Sequence, residues 1–458
     1  MNKVLDLKPT THLEVFNLAN LLDIFKKKIS LRPSIGLDGK TVESFEEDCV
    51  KILSTALQKI NNRSFKFTPY LEEIKSKGKK KYPRVISKPT IRDRIILLAL
   101  LNTLQASHHD TLKKELPNQL IRNIKSSIAR SKTDLNYVKL DIEAFYDNIA
   151  HKILLNKLSK TITPEARWLI SEAITNITVS SNLSRSDYPE KNNLGVPQGL
   201  CISNLLSDIY LGKIDKKYSK YKYHRYVDDI LVISHKKNNK ISTSIKTDLA
   251  KLGLKANSKS SEGKISDGLE YLGYVFKGSN LVSVRTSSKE KFIRSLIAPI
   301  TRYKKSKTKP HAKEWLNDDA RITILFETLN EKITGAISEK KRYGWMFYFS
   351  EINDIKLLHE IDSILSRQIK KSGLEEHLPR LKRLARAYRE VKYNAHGTYI
   401  HNYNNYSNLQ EKLNYLIKMG VIDPDSATSY SQDQIERMFD YKKNKNLLQL
   451  EVDLGSFS

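Results

Sequence analysis

The chain has 458 residues, and its 79 lysines and arginines against 51 aspartates and glutamates give a formal charge of +28. A charge excess of this size, spread along the whole length, favours a polyanionic partner and above all a nucleic acid. The two cysteines, Cys49 and Cys201, come without a Cys/His cluster, which argues against a disulfide framework and a structural zinc site.

The N-terminal stretch predicts helices rather than a targeting segment. Residues 13–29 place apolar side chains at helical spacing, and a glycine-rich turn at 36–41 leads into a second helical pattern over 42–60. The first residues lack the features of a signal peptide, and the longest apolar run, 95–101, is too short to span a bilayer. We therefore expect a cytoplasmic protein without membrane contact.

Residues 75–94, KSKGKKKYPRVISKPTIRDR, form the first informative basic run. One interpretation is the solvated tip of a β-hairpin. The other is a flexible cationic flap that folds over a triphosphate, with Arg84 as an oriented bidentate donor. For Arg92, Asp93 and Arg94 we expect a structural ion-pair cluster at the start of the next, apolar helix.

A first candidate carboxylate lies in residues 137–149, YVKLDIEAFYDNI. The alternating pattern predicts a strand that ends near Asp141, before Phe and Tyr enter a turn or helix. Glu143 and Asp147 compete with Asp141 for the same role. We favour Asp141 because it continues the face of the strand, whereas Asp147 is better placed to cap the next element of the chain.

A glycine-rich loop precedes the next predicted helix. Residues 192–211 read NNLGVPQGLCISNLLSDIYL, where Gly195, Pro197 and Gly199 predict a tight loop from which Gln198 projects. Helical apolar spacing begins at residue 203. Such a loop suits close backbone approach to a ligand, but alone it is an ordinary loop-to-helix junction.

Two adjacent carboxylates occur in residues 223–234, YHRYVDDILVIS. Strand-like runs flank Asp228 and Asp229, which predicts a β-hairpin with both carboxylates at or near its tip. Two such groups repel each other unless a cation lies between them, and Mg²⁺ prefers oxygen ligands. A DD pair is more often a solvated turn, so the metal interpretation depends on a third carboxylate from elsewhere.

After the hairpin, residues 271–276, YLGYVF, predict an aromatic strand, and beyond 280 the pattern becomes helical and basic, including 321–341. The run 342–349, RYGWMFYF, is interpreted first as the apolar core of a helical domain and only second as a nucleic-acid contact. A patch of tyrosines further along the chain has three interpretations. It is a solvated loop, a surface on which bases stack, or the source of a tyrosine hydroxyl that primes synthesis. Its members are Tyr393, Tyr399, Tyr403 and Tyr406.

In their order, the basic flap, the strand with Asp141, the PQG loop and the YVDD hairpin resemble the reverse transcriptases, and most closely the bacterial group II intron and retron type. The resemblance covers roughly residues 31–280. LDIEAFYDNI is similar to the first catalytic motif of the family, GVPQGLCISNLLSDIYL to its PQG motif and YVDD to its second catalytic motif. GLDGKTVESF resembles the extra N-terminal block, YPRVISKPTIRDR the fingers motif, and YLGYVF the strand that grips the primer terminus.

The resemblance implies an α+β fold, a right-hand polymerase whose fingers and palm carry antiparallel sheet, followed by an α-helical thumb and a helical C-terminal extension. The implied segments are an N-terminal helical extension at 1–30, fingers and palm at 31–280, the thumb at 281–372 and the C-terminal extension at 373–458.

The resemblance also implies roles for single residues. Two Mg²⁺ ions, with Mn²⁺ as an alternative, would be held by Asp141, Asp228, Asp229 and the Ile142 carbonyl. Implied contacts with the deoxynucleoside triphosphate are Lys79, Lys81, Arg84, Tyr146, Gln198, Gly199 and Lys259. Implied contacts with primer or template are Tyr226, Tyr271, Gly273 and Tyr274.

Two of these assignments carry a specific chemistry. Tyr146 occupies the position of an aromatic gate against a ribose 2′-hydroxyl, which argues for deoxynucleotides. The stretch after the hairpin departs from the LxLNxxKT-like pattern of the family because it offers two lysines. We prefer Lys259 to Lys264 as the proton donor.

The implied function is RNA-directed DNA synthesis from deoxynucleoside triphosphates, with a structured non-coding RNA as template, a DNA product and, by analogy, a role in bacterial antiviral defence. The absence of a His-Asn-His cluster argues against a homing endonuclease. The alternatives are an intron-type maturase that binds RNA, an untemplated or tyrosine-primed DNA polymerase, and a palm-type RNA polymerase, against which Tyr146 speaks. Oligomeric state and protein partners stay open.

Overall fold

In a computed structural model the chain divides into two compact units. The first consists essentially of residues 1–114 and 136–262, and the second of 115–135 and 263–457. The described residues are 15–30, 34–75, 83–108, 116–131, 133–235, 239–258, 260–278, 280–307 and 315–454. Three of the predicted site residues, Lys79, Lys81 and Lys259, lie outside them.

Strands of the described residues form four small sheets. In chain order they are β1 Tyr70–Lys75, β2 Arg84–Lys88, β3 Asn136–Asp141, β4 Thr178–Val179, β5 Lys222–Tyr226, β6 Asp229–Ser234, β7 Ser261–Lys264, β8 Leu269–Tyr271, β9 Tyr274–Lys277, β10 Leu281–Val284, β11 Ala336–Ser338, β12 Lys341–Tyr343 and β13 His401–Asn402. The first unit contains the orders β2-β1-β4 and β5-β6-β3-β7, and β7 stands where that unit ends in the chain. The second unit contains β10-β9-β8 and β12-β11-β13.

Helices make up most of the remaining structure. They are α1 Leu18–Ile24, α2 Val42–Asn61, α3 Ile91–Ser107, α4 Pro117–Ala129, α5 His151–Leu158, α6 Pro164–Thr175, α7 Ser203–Tyr218, α8 Asn239–Ala250, α9 Thr286–Lys307, α10 Asp318–Thr334, α11 Trp345–Tyr348, α12 Ile355–Lys370, α13 Leu384–Tyr393, α14 Leu409–Lys418 and α15 Gln432–Leu454. A π-helical turn, Phe25–Ile29, extends α1, and short 3₁₀ turns join several of the others. No helix within the described ranges is both long and apolar enough to cross a bilayer.

The centre of the first unit is the antiparallel pairing of β6 with β5 on one side and β3 on the other. A central strand has both faces covered, and accordingly the ILVI run at 230–233 is buried throughout. In β3, Val138 and Leu140 are buried and alternate with more exposed neighbours. The alternation over 137–141 and the apolar, β-branched run at 230–233 therefore predict the two strands correctly.

The start of α3 contains the predicted ion-pair cluster. The Asp93 carboxylate is fully buried and accepts hydrogen bonds from Nε of Arg92 at 2.7 Å and from the backbone N–H of Thr68 at 2.8 Å. The Thr90 hydroxyl accepts from the Asp93 N–H at 3.3 Å and so caps the helix. Because a buried carboxylate needs such partners, the structural interpretation is confirmed for Arg92 and Asp93.

The second unit corrects one sequence prediction and confirms another. The helical pattern over 321–341 ends early, because α10 stops at Thr334, Gly335 adopts φ +68° and the chain turns into the β11–β12 hairpin. The aromatic run 342–349 is core, as expected. Trp345 is buried and stacks on Phe292 with ring centroids 4.4 Å apart.

The predicted aromatic strand over 271–276 is wrong at its middle. Leu272 and Gly273 have φ of +49° and +78°, so the chain makes a tight turn there between β8 and β9. Tyr271 and Tyr274 are completely buried, and the Tyr274 hydroxyl donates to the Tyr348 carbonyl. Both rings are enclosed in the second unit, so the predicted primer contact at Tyr271 and Tyr274 would have to be made by their backbone. Gly273, in the turn, stays a predicted contact.

The tyrosine patch is not one solvated loop. Tyr393 is 84% exposed, whereas Tyr403 is 4% exposed and Tyr406 is half-buried. The Tyr399 hydroxyl accepts a hydrogen bond from the N–H of Arg383 at 2.7 Å. Solvation therefore describes Tyr393 alone among these residues, and packing describes the others.

Candidate active site

A tight hairpin turn brings the predicted carboxylates together. Asp229 is the first residue of β6 and stands opposite Tyr226 of β5, so Val227 and Asp228 form the turn. On the other side of β6, Asp229 stands opposite Asp141, the last residue of β3. Opposed residues of antiparallel strands have Cα atoms about 5 Å apart. The predicted hairpin tip is confirmed, and three carboxylates share one end of the sheet.

A second connection fixes Asp228 beside the end of β3. The Ile142 N–H donates to the Asp228 carbonyl at 3.1 Å, so the turn and the strand end are hydrogen-bonded. Asp229 itself is 7% exposed and lies 3.8 Å from Nζ of Lys139. Lys139 precedes Asp141 by two residues and thus shares its face of the strand. The Lys139 ammonium therefore faces this cluster of carboxylates.

Asn257 holds Asp141 and was missed by reasoning from the sequence. Its backbone N–H donates to the Asp141 carbonyl at 2.6 Å, and its side-chain Nδ2 donates to Asp141 Oδ2 at 3.0 Å. The signal was the Asn two residues before Lys259, within the stretch considered only for its lysines. Asn257 fixes the orientation of one carboxylate of the set.

The two competing acids lie outside the paired strand ends. Glu143 is exposed and lies beyond the strand end, and the following residue, Ala144, turns the chain with φ +44°. Asp147 is also exposed and accepts a hydrogen bond from Nε2 of Gln198 at 3.3 Å. The geometry therefore supports Asp141 as the third member.

Oxygen donors of this kind match the ligand preference of Mg²⁺. Within the described ranges, however, no group of three His, Cys, Asp or Glu side chains already stands in a metal-binding arrangement. The three carboxylates are close through their backbone positions, so small side-chain rotations would decide how they converge. The donor set fits a divalent cation in its chemistry.

Tyr146 lies beside the carboxylates in a 3₁₀ turn. Its hydroxyl donates to Oδ1 of Asn204 at 2.6 Å, and its carbonyl accepts from the N–H of Val196 in the PQG loop at 2.8 Å. Burial raises the pKa of the Tyr146 hydroxyl, and the nearby Asp228 carboxylate adds to that rise while the Arg84 guanidinium opposes it. The predicted gate residue is thus within electrostatic reach of both a carboxylate and the predicted phosphate donor.

The PQG loop is fitted against β2. The Gln198 carbonyl accepts from the N–H of Ser87 at 2.7 Å. Gly199 adopts φ +107°, and a Cβ there would lie 2.6 Å from Cγ2 of Ile86. A glycine is therefore required at 199 for both conformation and space. The strand that carries Arg84 and the loop that carries Gln198 are therefore packed and hydrogen-bonded against each other.

Comparison with known proteins identifies this arrangement. Residues 74–276 match the family model described as reverse transcriptase (RNA-dependent DNA polymerase). These residues, fewer than half of the chain, are therefore similar to a reverse transcriptase domain. Together with the strand order, this confirms the predicted α+β fold with fingers and palm. The predicted site residues all lie between positions 74 and 276, and the structure describes all of them except Lys79, Lys81 and Lys259.

Two curated proteins of distant sequence are similar to part of this chain, and both are named for introns. The "Putative COX1/OXI3 intron 2 protein" of Saccharomyces cerevisiae is 26% identical over 183 residues, which cover 36% of this chain and 20% of that protein. The "Uncharacterized 91 kDa protein in cob intron" of Schizosaccharomyces pombe is 24% identical over 198 residues, 41% of this chain and 23% of that protein. The chain thus matches less than a quarter of either relative's length.

Solved structures similar to this chain include yeast telomerases. The Candida albicans telomerase in complex with a TWJ fragment of telomeric RNA has 12% identity and a TM-score of 0.42, covering 90% of this chain and 67% of that one. Apo telomerase of Candida tropicalis has 14% identity and a TM-score of 0.40, covering 86% and 74%. The fold assignment rests on the family match and the strand topology.

Gly199→Ala is predicted to disturb the first unit where the PQG loop meets β2. The methyl group would meet Ile86, and alanine disfavours φ +107°, so we expect a loss of unfolding free energy of about 1–3 kcal/mol. Thermal unfolding measures it. Gly212→Ala is the matched control, because Gly212 lies in α7 with open space around its Cα, and alanine is expected to stabilise that helix. Equal effects of the two changes would contradict the prediction.

Proposed function

We propose that the chain is an RNA-directed DNA polymerase that extends a primer with deoxynucleoside triphosphates. The observation that carries the proposal is the pairing of Asp141 with Asp229, with Asp228 in the adjoining turn, inside the reverse transcriptase domain. Phosphoryl transfer asks little covalent chemistry of the protein, so catalysis consists of positioning and charge stabilisation. A cluster of carboxylates at a rigid strand end suits that task.

The carboxylates would hold Mg²⁺, with the Ile142 carbonyl as a further oxygen donor and Mn²⁺ as an alternative ion. When bound, the metal neutralises phosphate charge and lowers the pKa of the primer 3′-hydroxyl. Asn257 keeps one carboxylate oxygen of Asp141 oriented through its hydrogen bond. Lys139 offsets part of the repulsion among the acids, because its ammonium lies 3.8 Å from Asp229.

The nucleotide would lie between the carboxylates and β2. Arg84 would bind its phosphates, with Lys79 and Lys81 from the adjoining basic run. The primer 3′-hydroxyl would lose its proton to water, and its oxygen would attack the α-phosphorus. The bond from that phosphorus to the bridging oxygen would break, and pyrophosphate would leave, with Lys259 as the predicted proton donor. The Tyr146 ring would exclude a ribose 2′-hydroxyl. Gln198 and Gly199 would lie along the base pair being formed.

A nucleic acid is the proposed macromolecular partner, and α13 in the second unit offers a surface for it. Arg386 and Arg389 of α13 and Arg383, the residue that precedes the helix, are exposed at three-residue spacing and lie opposite its buried face. The opposite face of the helix is buried through Leu384, Tyr388 and other apolar residues. Arginines in a row suit the phosphate backbone of a helical nucleic acid.

Replacing Arg383, Arg386 and Arg389 by glutamine is predicted to weaken binding of an RNA duplex and to lower its salt dependence. Loss of three phosphate contacts reduces the slope of log K against log salt by about 3. Fluorescence anisotropy at several salt concentrations measures it. The control removes three exposed lysines of the same unit, Lys340, Lys341 and Lys356. An equal loss of slope in both triple variants would contradict a role specific to α13.

We extend the proposal to a structured non-coding RNA as template and to cytoplasmic antiviral defence in a bacterium. This extension is made by analogy with antiviral reverse transcriptases. They are preferred because residues 373–458 do not resemble a maturase domain. A second candidate function is that of an RNA-binding intron maturase. It is favoured by the names of the two curated relatives, both of which are intron proteins.

Two measurements test these proposals. Purified protein is given an RNA template, a DNA primer, Mg²⁺ and either deoxynucleotides or ribonucleotides. Extension with deoxynucleotides alone supports the polymerase, and its absence overturns it. In parallel, nucleic acids that co-purify from host cells are sequenced for wild type and for Asp228→Ala/Asp229→Ala. Complementary DNA in wild type only identifies the template, whereas one RNA in both samples without DNA favours the maturase.

A further inference from the structure

We propose that Arg225 is a positioning residue, which holds the Val227–Asp228 turn in the conformation that the metal-binding carboxylates require. The inference rests on the proposed function above, because it assigns Arg225 a task in that site. It concerns a buried side chain that is not among the predicted metal or nucleotide ligands, and to which the sequence pattern assigned no role.

The turn that Arg225 supports is strained. Val227 adopts φ +55°, in the left-handed region of backbone conformation. A β-branched residue rarely occupies this region, and such a conformation costs on the order of 1–3 kcal/mol. The cost persists only where surrounding contacts impose the conformation. Asp228 is the next residue, so any relaxation of Val227 would move a carboxylate of the site.

Arg225 supplies the contact that the turn needs. Its Nη1 donates to the Val227 carbonyl at 2.9 Å. The Arg225 side chain is only 8% exposed, so water does not compete strongly for this bond. A buried guanidinium is a rigid donor with a fixed geometry, which suits it to hold one carbonyl in one place.

Two aspartates of α7 hold the guanidinium in turn. Arg225 Nε and Nη2 donate to the two oxygens of Asp215 at 2.7 and 2.5 Å, and Nη1 lies 3.2 Å from Asp208 Oδ1. The Tyr223 hydroxyl donates to Asp215 at 2.8 Å. Burial alone would lower the pKa of Arg225, but Asp215 and Asp208 outweigh it, so the pKa is raised and the charge is kept.

A buried cluster of this kind is an expensive way to stabilise a core. Arg225 and Asp208 are buried and Asp215 is partly exposed; removing an ion from water costs several kcal/mol, and apolar residues often stabilise a core as well. What apolar residues cannot do is donate a hydrogen bond to the Val227 carbonyl. The geometry thus links α7, through Arg225, to the turn that carries Asp228 and precedes Asp229.

The experiment compares Arg225→Lys, Val227→Gly and the double variant in the full chain. Lysine keeps the charge but loses the bidentate geometry. Glycine adopts φ +55° without strain. Mn²⁺ binding without substrates is measured by titration calorimetry, and kcat and the nucleotide KM by primer extension. We expect Arg225→Lys to weaken Mn²⁺ binding by about 10- to 100-fold, the usual effect of an outer partner, and to lower kcat more than it raises KM.

Coupling between the two positions is the decisive result. In the Val227→Gly background, Arg225→Lys is expected to cost clearly less, because the strain that Arg225 opposes is gone. Thermal unfolding shows whether each variant folds. If Arg225→Lys does not fold, Asp208→Asn replaces it, since that change weakens the support while the Asp215 pair remains.

Other outcomes would overturn the inference. Wild-type Mn²⁺ affinity in a folded Arg225→Lys variant would do so, as would strictly additive losses in the double variant, which indicate a merely structural role. If wild type binds Mn²⁺ but extends no primer, the proposed polymerase fails, while the Mn²⁺ comparison still decides the role of Arg225.

Discussion

Asp228→Asn is expected to abolish primer extension while the protein stays folded. The change removes one negative charge from the carboxylate cluster and leaves the shape of the side chain nearly unchanged. Because the proposed chemistry depends on charge stabilisation by a metal, we expect a loss of about three orders of magnitude in kcat, equivalent to about 4 kcal/mol. Single-turnover primer extension measures the rate, and thermal unfolding confirms the fold.

Glu143→Gln is the matched control for the loss of charge. Glu143 lies two residues after Asp141 but is exposed and outside the strand pairing. We expect its removal to leave the rate within a few-fold of wild type, as for most surface substitutions. A loss of activity in Glu143→Gln that equals the loss in Asp228→Asn would mean that general acidity, rather than the carboxylate set at the strand ends, carries the reaction.

The three carboxylates could be predicted from the sequence because the patterns that indicate them are local. Alternation over 137–141 predicts a strand that ends at Asp141, and two strand-like runs around Asp228 predict the hairpin. That β3 and β6 are neighbours is a long-range fact, which periodicity does not contain. Asp141 was assigned to the same site as the hairpin only because the ordered set of motifs resembles that of the reverse transcriptases.

The residues that orient these carboxylates could not be predicted from the sequence, because their contacts are also long-range. Asn257 contacts Asp141 across 116 positions of the chain, and a single asparagine in a polar stretch has no pattern of its own. Arg225 stood within the quoted hairpin motif, but its meaning depends on Asp208 and Asp215 of α7. A side chain whose partners lie on another element cannot be assigned from spacing alone.

The errors in the second unit have a common cause. An aromatic run such as YLGYVF fits a strand by composition, and Gly273 was the one local sign that the chain turns. Tyrosine is equally at home in a polar loop and in a core where its hydroxyl has a partner. Tyr403 is of the second kind, since its hydroxyl donates to Oε1 of Glu331 at 2.7 Å.

The environment of Glu331 leads to a prediction about pH. Its second oxygen accepts from Nδ2 of Asn446 at 2.9 Å, and the His401 ring lies 4.5 Å from the Tyr403 ring. Burial raises the pKa of Glu331 from 4.5 to about 7. Burial, with help from Lys382 and Lys418, lowers the pKa of His401 from 6.5 to about 4. The pKa values of the buried Glu331 and the half-buried His401 are thus shifted in opposite directions.

Their effects on stability oppose each other. Between pH 4.5 and 7 folded Glu331 keeps a proton that the unfolded chain has lost, so its contribution to the unfolding free energy falls as pH rises, by about 3 kcal/mol. Between pH 4 and 6.5 the unfolded chain binds a proton on His401 that the folded protein does not. The His401 contribution therefore rises with pH by a similar amount. Wild type should show a shallow profile from these two groups.

Urea unfolding of Glu331→Gln and His401→Gln from pH 4 to pH 7.5 separates the two contributions. Relative to wild type, the unfolding free energy of Glu331→Gln is expected to rise by about 3 kcal/mol between pH 4.5 and 7, because the falling term is gone. That of His401→Gln is expected to fall over pH 4 to 6.5. Since all other groups are shared, they cancel in each comparison. Parallel profiles of the two variants would show that neither group is as buried in solution as its packing indicates.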